Sequence, residues 1–220
     1  MRKLTGAVFL SLDGVMQAPG GPEEDTSSDF RLGGWVFNYW DASLEEPFGK
    51  VMEADYDLLL GRRTYDIFAG YWPHHQDVPI GARFQRINKY VLTHRDEPLG
   101  WDGSQRLSGD TAEVVTELKN SAGRDLLIQG SSTLYAPLLS AGLIDDLIVM
   151  IFPVVLGHGK RLFSEAQLPG ALSLVHHAVS DKGVVFLHYQ PAGEVNVGSF
   201  ATDEGQEELA RRARAEAGCA

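Results

Sequence analysis

Two stretches of the sequence join an apolar run to a helical pattern through a glycine, an arrangement that suits phosphate binding. They are LLLGRRTYD around Gly61 and LLIQGSSTLY around Gly130. The first turn of a helix offers unpaired N–H groups and the positive end of its dipole to an anion. Glycine allows a ligand to approach the backbone, and arginine and hydroxyl side chains nearby add hydrogen bonds. Glycine turns also join strands to helices in proteins that bind no phosphate, so both interpretations stay open from these residues alone.

Other common reaction centres are not indicated by the residue patterns. Neither glycine junction has the spacing of a GxGxxG fingerprint or a P-loop, so an ordinary Rossmann domain is not predicted. His74–His75 and His176–His177 are adjacent pairs whose side chains would point to opposite faces of a strand, so we expect no metal site. No serine lies in the GxSxG context of a hydrolase.

Composition and charge narrow the class of protein further. The 220 residues are 44% hydrophobic and carry a net charge of −11, and the basic residues are few and scattered, which argues against nucleic-acid binding. No apolar run approaches the roughly 18 residues of a membrane span, and the N-terminus lacks a signal-peptide pattern. We therefore expect a cytoplasmic protein that binds neither nucleic acid nor membrane. We expect the single cysteine, Cys219, to be neither an internal disulfide partner nor a nucleophile.

Apolar runs alternate with helical patterns along the chain, which predicts an α/β protein. Continuous apolar strands between helices favour a mostly parallel sheet, and the late strands favour an antiparallel C-terminal edge. The expected strands and strand–helix units lie at 4–12, 57–68, 88–95, 124–142, 144–157 and 184–191, and further helices lie at 43–54 and 110–123.

The sequence also predicts where two helices begin and where the domain ends. Ser43 followed by Glu46 fits a capping box, and Asp110 is the expected cap of the later helix. Residues 1–191 are expected to form one domain, and residues 192–220 an acidic, highly charged tail. Because the tail has no apolar stripe to bury, we expect a solvated helix or a contact with a neighbouring subunit.

Five stretches occur in the order found in the dihydrofolate reductase-like superfamily: FLSLDGVMQ, LLLGRRTYDIF, KYVLTHR, IQGSSTLYAPLLSAGLIDDL and PVVLGHGKRLF. The chain most resembles the bacterial branch, the reductase (C-terminal) domain of the bifunctional riboflavin-biosynthesis deaminase/reductase. The resemblance implies a three-layer α/β/α fold with a mostly parallel central sheet and an antiparallel C-terminal edge. It also implies NADPH as cofactor, a small-molecule substrate and a homodimer.

The resemblance assigns the cofactor residues, which would line an extended groove along the sheet. The loop SLDGVMQAPGG would be a lid over the nicotinamide, and the arginines near the adenosine end favour NADPH because a 2′-phosphate needs cations. The implied cofactor residues are Met16 and Gln17 in the lid, Gly61, Arg62, Arg63 and Thr64 at the first junction, Leu92, Thr93 and His94 beside the 2′-phosphate, and Gly130, Ser131, Ser132 and Thr133 at the pyrophosphate, with Leu134 and Tyr135 behind them.

The resemblance also suggests substrate residues. Trp35 and Phe37 lie in an aromatic stretch that would form the wall of a flat-ring pocket, or would pack the loop onto the sheet or a second subunit. Met150 stands where folate enzymes have a threonine. The lid also lacks their Pro-Trp pair, and these departures argue against folate. Lys160 and Arg161 would hold a substrate phosphate or form a solvated turn.

Dihydrofolate reductases place one carboxylate at the start of the first helix, where it binds the substrate and supports protonation, so the resemblance implies such a group here. Glu45, near the start of the first helix, is the preferred candidate because Glu46 is explained by capping, and Asp13 and Asp41 are rivals. We predict an NADPH-dependent reductase of a small heterocyclic or conjugated C=N or C=O compound. The alternatives are a reductase of dihydrofolate or of a phosphoribosylaminopyrimidine and, in another class, a non-catalytic nucleotide-binding or scaffold protein.

Overall fold

One mixed sheet carries the elements that form the candidate site. The computed structural model describes residues 1–163, 169–200 and 202–217. The strands are β1 (Leu4–Ser11), β2 (Tyr56–Gly61), β3 (Lys89–Leu92), β4 (Ser104–Leu107), β5 (Asp125–Gln129), β6 (Asp146–Phe152), β7 (Leu172–Val179) and β8 (Val185–Pro191). The helices are α1 (Ala42–Glu53), α2 (Arg62–Tyr71), α3 (Pro79–Arg86), α4 (Thr111–Asn120), α5 (Ser132–Ser140) and α6 (Asp203–Ala217).

The strand order is β4-β3-β2-β5-β1-β6-β8-β7. The strands from β4 to β6 are parallel, whereas β8 is antiparallel to both β6 and β7. This confirms the predicted mostly parallel sheet with an antiparallel C-terminal edge. The elements α3, β4 and β7 were not predicted. The two strands lack a buried apolar run, because β4 has the sequence SQRL and β7 is exposed along most of its length.

Apolar side chains cover both faces of the sheet, as expected for a parallel sheet between helices. On β2, Leu58 and Leu60 enter one core and Leu59 enters the other. The first core includes side chains of α1, α2 and α3, and the second includes side chains of α4 and α5. The predicted three-layer α/β/α arrangement is therefore confirmed.

The helix caps correct one prediction and confirm another. The cap of α1 is Asp41, whose side chain accepts a hydrogen bond from Leu44 N–H at 2.9 Å. The predicted capping box is wrong, because the Ser43 hydroxyl donates to Asp41 and Glu46 forms an ion pair with Lys50 at 2.9 Å. Asp110 does cap α4, where its carboxylate accepts hydrogen bonds from the N–H groups of the first turn.

The C-terminal segment contains α6, whose described side chains are mostly exposed. The division between residues 1–191 and 192–220 stays a prediction, and Cys219 lies outside the described residues. Within the described ranges, no helix combines the length and the hydropathy that a membrane crossing requires.

The loop between β1 and α1 is fastened to the turn that follows β6. Met16 N–H donates to the Lys160 carbonyl at 2.8 Å, and Val15 and Arg161 form an isolated antiparallel bridge. Gly159 makes this approach possible, because a Cβ there would lie 2.6 Å from the Val15 side chain and its φ is +128°. The two segments therefore form a short ribbon beside the end of β1.

Asp13 strengthens this attachment. Its carboxylate accepts hydrogen bonds from the Ser11 hydroxyl at 2.6 Å and from the N–H groups of Leu156 and Gly157 at 3.0 and 2.9 Å. The bond from Ser11 is the largest influence, and with the two N–H groups it outweighs partial burial and lowers the pKa of Asp13 from 3.8 to about 2. Asp13 thus holds the loop to the turn in its ionised form.

We predict that Asp13→Asn lowers the melting temperature at neutral pH, because the amide cannot replace a carboxylate that accepts several hydrogen bonds. The folded pKa of about 2 lies below the ordinary value of 3.8, so the charge stabilises the fold above pH 4 and that contribution is lost as the pH falls through 2. Thermal unfolding from pH 7 to pH 2 should show the wild type and the variant converging below pH 4.

Asp29→Asn is the matched control, because Asp29 lies on the same loop with 92% of its side chain exposed. Its melting curve should follow the wild type at every pH. A difference between Asp13→Asn and the wild type that stays constant from pH 7 to pH 2 would contradict the role given to the Asp13 charge.

Candidate active site

A cleft of about 700 Å³ lies at the carboxyl ends of β1, β2 and β5. Ligands of parallel α/β sheets bind at this edge because the loops that follow neighbouring strands meet there. One wall is the β1–α1 loop from Met16 to Asp25, and the others are α2 and the β5–α5 junction. The lining residues are Ala7, Phe9, residues 16–25, residues 61–64, Ile67, Phe68, Tyr71, Trp72, residues 129–133 and Lys160.

The two glycine junctions are locked to each other at one end of the cleft. The Ser131 hydroxyl accepts a hydrogen bond from Gly61 N–H at 2.8 Å, and Ser131 N–H donates to the Thr64 hydroxyl at 3.0 Å. Gly130 has a φ of +75°, and a Cβ there would lie 3.2 Å from the Thr64 methyl group. The first turns of α2 and α5 therefore face one cleft, where backbone N–H groups and the hydroxyls of Ser132 and Thr133 can receive an anion.

The two arginines at the start of α2 have different partners. Arg62 donates from Nε to Asp66 at 2.8 Å and also hydrogen-bonds to the Glu97 carbonyl. Arg63 donates to Asp25, on the opposite wall of the cleft, at 2.8 Å. The sequence prediction treats the pair as one phosphate site, whereas the structure separates their side chains.

Aromatic side chains line the other part of the cleft. The cleft follows α2 along its ten residues, which correspond to about 14 Å of helix. Beyond the first turn of this helix, the lining consists of aromatic side chains, namely Phe68, Tyr71 and Trp72. Phe9 lines the cleft from β1 and packs edge-on against Trp40, with ring centroids 5.9 Å apart. This wall was missed from sequence, because Phe68 and Tyr71 have the spacing of ordinary core residues of an amphipathic helix.

The predicted cofactor residues divide into two groups. Those that line the cleft are Met16, Gln17, Gly61, Arg62, Arg63, Thr64, Gly130, Ser131, Ser132 and Thr133. The others lie outside its lining: Leu92 is the last residue of β3, Thr93 follows it, His94 is exposed, and Leu134 and Tyr135 are buried side chains of α5. The binding role of each residue stays a prediction.

The predicted substrate residues lie elsewhere. Trp35 is buried and donates from Nε1 to the Gln17 carbonyl at 2.8 Å, so it packs the loop onto the sheet. Phe37 is 79% exposed, and Met150 is fully buried within β6. None of these three side chains lines the cleft as the structure describes it.

The predicted carboxyl groups also lie outside the cleft. Asp13 binds the turn after β6, and Glu45 is exposed on α1 beside a second cavity between α1 and α3. Among the described lining residues the carboxylates are instead Glu23, Glu24 and Asp25, in the loop segment PEED. In the sequence they appear only as an acidic loop, and no local pattern distinguishes them from a solvated turn.

Glu24 has an unusual environment among these acids. Its Oε2 accepts hydrogen bonds from Gly20 N–H at 2.6 Å and Gly21 N–H at 3.2 Å. Burial is the largest influence and raises the pKa of Glu24 despite these bonds, and the neighbouring Asp25 charge raises it further. Within the described ranges, no group of three or more His, Cys, Asp or Glu side chains is arranged to hold a metal ion.

Comparison with known proteins agrees with this architecture. The chain is 27% identical over 136 residues to the uncharacterized protein YyaP of Bacillus subtilis strain 168. The aligned residues cover 60% of this chain and 72% of YyaP. A protein from Shewanella sp. PV-4 assigned to riboflavin biosynthesis has a similar structure, with a TM-score of 0.63 and 21% identity over 87% of this chain and 99% of that one.

A second solved structure is a dihydrofolate reductase of Enterococcus faecalis in complex with NADP(H). Its TM-score is 0.54 at 17% identity, over 86% of this chain and 96% of the reductase. Both structures confirm the dihydrofolate reductase-like fold. The RibD C-terminal domain family matches residues 2–186, which span the sheet from β1 to the first residues of β8. The chain therefore belongs to the RibD C-terminal domain family.

Proposed function

We propose that the protein is an NADPH-dependent reductase that transfers a hydride to a small, flat heterocycle or a conjugated C=N or C=O compound. The observation that carries this proposal is one continuous cleft with two chemically different ends. At one end, two helix N-termini are fixed side by side through Ser131. Aromatic side chains line the other end.

The phosphate end suits a dinucleotide. The N–H groups of the first turns of α2 and α5 and the hydroxyls of Ser132 and Thr133 would hold the pyrophosphate. Arg62 and Arg95 both pair with Asp66, at 2.8 and 3.7 Å, so two guanidinium groups gather near the predicted 2′-phosphate position. When NADPH is bound it supplies the hydride, and the chain binds and orients the reactants.

The aromatic end suits a small planar substrate. Phe9, Phe68, Tyr71 and Trp72 offer apolar ring surfaces against which a flat ring can pack. The volume of about 700 Å³ lies within the usual range for a pocket that holds one ligand of moderate size. A substrate that shares this volume with a nicotinamide must be small.

We also infer a homodimer. The edge strand β7 exposes Leu172, Leu174, Val175 and Val179, which are 40% to 64% accessible. A long edge strand with exposed apolar side chains tends to pair with another chain, and proteins usually cover such a strand with another chain or element. Sedimentation velocity of the full chain would test this inference.

Titration of the purified protein with NADPH and NADH, followed by nicotinamide fluorescence and calorimetry, tests the proposed function. We expect saturable binding of both, with NADPH bound more tightly, and oxidation of bound NADPH by one of a panel of small carbonyl and imine compounds. Failure to bind either nucleotide would reject the reductase. Binding without turnover of any compound would favour a nucleotide-binding protein that lacks catalysis.

We predict that Arg62→Ala weakens NADPH binding about tenfold or more, the value of a lost charge-assisted hydrogen bond, and weakens NADH binding less. The same titration measures both affinities. Arg86→Ala is the control, because Arg86 lines the second cavity and should affect neither cofactor. An equal loss of NADPH and NADH affinity would remove Arg62 from the 2′-phosphate site.

The proton that accompanies the hydride has a candidate source in the cleft. Glu24 is partly buried and its raised pKa favours the protonated form that a general acid needs. Its position on the β1–α1 loop places it on the wall opposite α2. We therefore propose Glu24 as the proton donor, in place of Glu45.

We predict that Glu24→Gln lowers kcat at least about a hundredfold, the usual contribution of a general acid, and leaves NADPH affinity unchanged. Glu45→Gln is the matched control and should retain wild-type kcat, since Glu45 lies outside the cleft. The wild-type kcat should also fall as the pH rises through the raised pKa of Glu24. Loss of kcat in Glu45→Gln but not in Glu24→Gln would restore the assignment made from sequence.

A further inference from the structure

Asp25 lies between two cations inside the cleft. Its Oδ1 accepts hydrogen bonds from Arg63 at 2.8 Å and from the hydroxyl and N–H of Ser27 at 2.6 and 3.1 Å. Its Oδ2 accepts a hydrogen bond from the Lys160 ammonium group. The carboxylate is only 8% exposed, whereas Arg63 and Lys160 are 53% and 34% exposed. The Asp25 carboxylate is therefore buried, whereas the Arg63 and Lys160 side chains remain accessible to solvent.

The arrangement is held by the backbone on both sides. The Gln17 side chain accepts a hydrogen bond from Lys160 N–H at 3.0 Å and donates to the Asp25 carbonyl at 3.0 Å. Gln17 is itself 3% exposed, so one buried amide fixes the loop and the turn relative to each other. Lys160 and Asp25 therefore meet through a rigid connection, although 135 residues separate them.

The ionised state of Asp25 follows from its partners. Burial is the largest influence and acts to raise the pKa, but the hydrogen bonds from Lys160 and Ser27 outweigh it, so the pKa of Asp25 is lowered. A carboxylate held by a guanidinium and an ammonium group occupies the place that a phosphate would take between the same cations.

We infer that Asp25 is an internal counter-ion that fills an anion subsite formed by Arg63 and Lys160, so that the cleft selects against phosphorylated substrates. The inference rests on the proposed function in one respect, since it assumes that the substrate enters this cleft. The sequence allowed Lys160 and Arg161 to hold a substrate phosphate together. The structure assigns Lys160 to Asp25 and Arg161 to Asp13.

The selection has a physical cause. A phosphate that reaches Arg63 and Lys160 must displace a buried carboxylate and leave it without a counter-ion beside a new negative charge. Breaking a buried ion pair by removing one partner is strongly unfavourable, because the remaining charge is not solvated. An uncharged substrate leaves the Asp25 cluster intact.

The test is calorimetric titration of the full-length protein with inorganic phosphate. Asp25→Asn keeps an oxygen for the hydrogen bonds from Ser27 and frees both cations, so it should bind phosphate about tenfold or more tightly than the wild type. Adding Lys160→Met to this variant should abolish the gain. Glu23→Gln removes the same charge from the same loop and is the control, which should show no gain.

Folded Asp25→Asn that binds phosphate no better than the wild type would overturn the inference. Asp25→Ser is the second variant if the asparagine disturbs the loop, and a lack of gain there has the same meaning. A gain that persists with saturating NADPH supports a substrate subsite, whereas a gain that NADPH abolishes overturns the claim of substrate selection. If the wild type binds no NADPH, the proposed function fails, and the phosphate titration still decides whether Asp25 is a counter-ion.

Discussion

The joint between the two strand–helix junctions is the contact on which the cleft depends. Ser131 accepts a hydrogen bond from Gly61 N–H and donates one to Thr64, so the first turns of α2 and α5 have a fixed separation. Parallel pairing of β2 with β5 brings both strand ends to the same edge. The backbone N–H groups of these first turns are therefore in position before any ligand arrives. An anion that binds there does not have to order them.

The second wall of the cleft is made by a long loop that is rigid for reasons distant in sequence. Asp13 binds backbone groups of Leu156 and Gly157, and Gln17 binds Lys160 N–H, so the β1–α1 loop depends on the turn after β6. Loops of this length in compact domains are usually functional, and this one is ordered by buried polar contacts rather than by secondary structure. Its acidic residues are therefore fixed elements of the cleft wall.

Sequence patterns predicted the parts of the site that are formed by residues close together in the chain. The glycine junctions and most cofactor positions near them follow from strand–glycine–helix patterns, and those residues do line one cleft. The family order of motifs also predicted the sheet. The contacts of Glu24, Asp25 and Lys160 depend on residues that lie far apart in the chain or on backbone geometry, so no local pattern marks them. Ser43 failed as a cap for the same reason, since its hydroxyl accepts a hydrogen bond from Asp181 N–H.

The charges of the cleft impose a direction on any dinucleotide that binds there. Among the described lining residues, Arg63 and Lys160 both pair with Asp25, so these two cations add little net attraction for an anion. The excess positive potential comes from the two helix N-termini, which act only within the first turn. Phosphates are therefore favoured at the Ser131 joint and disfavoured beside the acidic loop. A nicotinamide ring would then lie toward Phe9 and the aromatic wall, where the loop shields it from water.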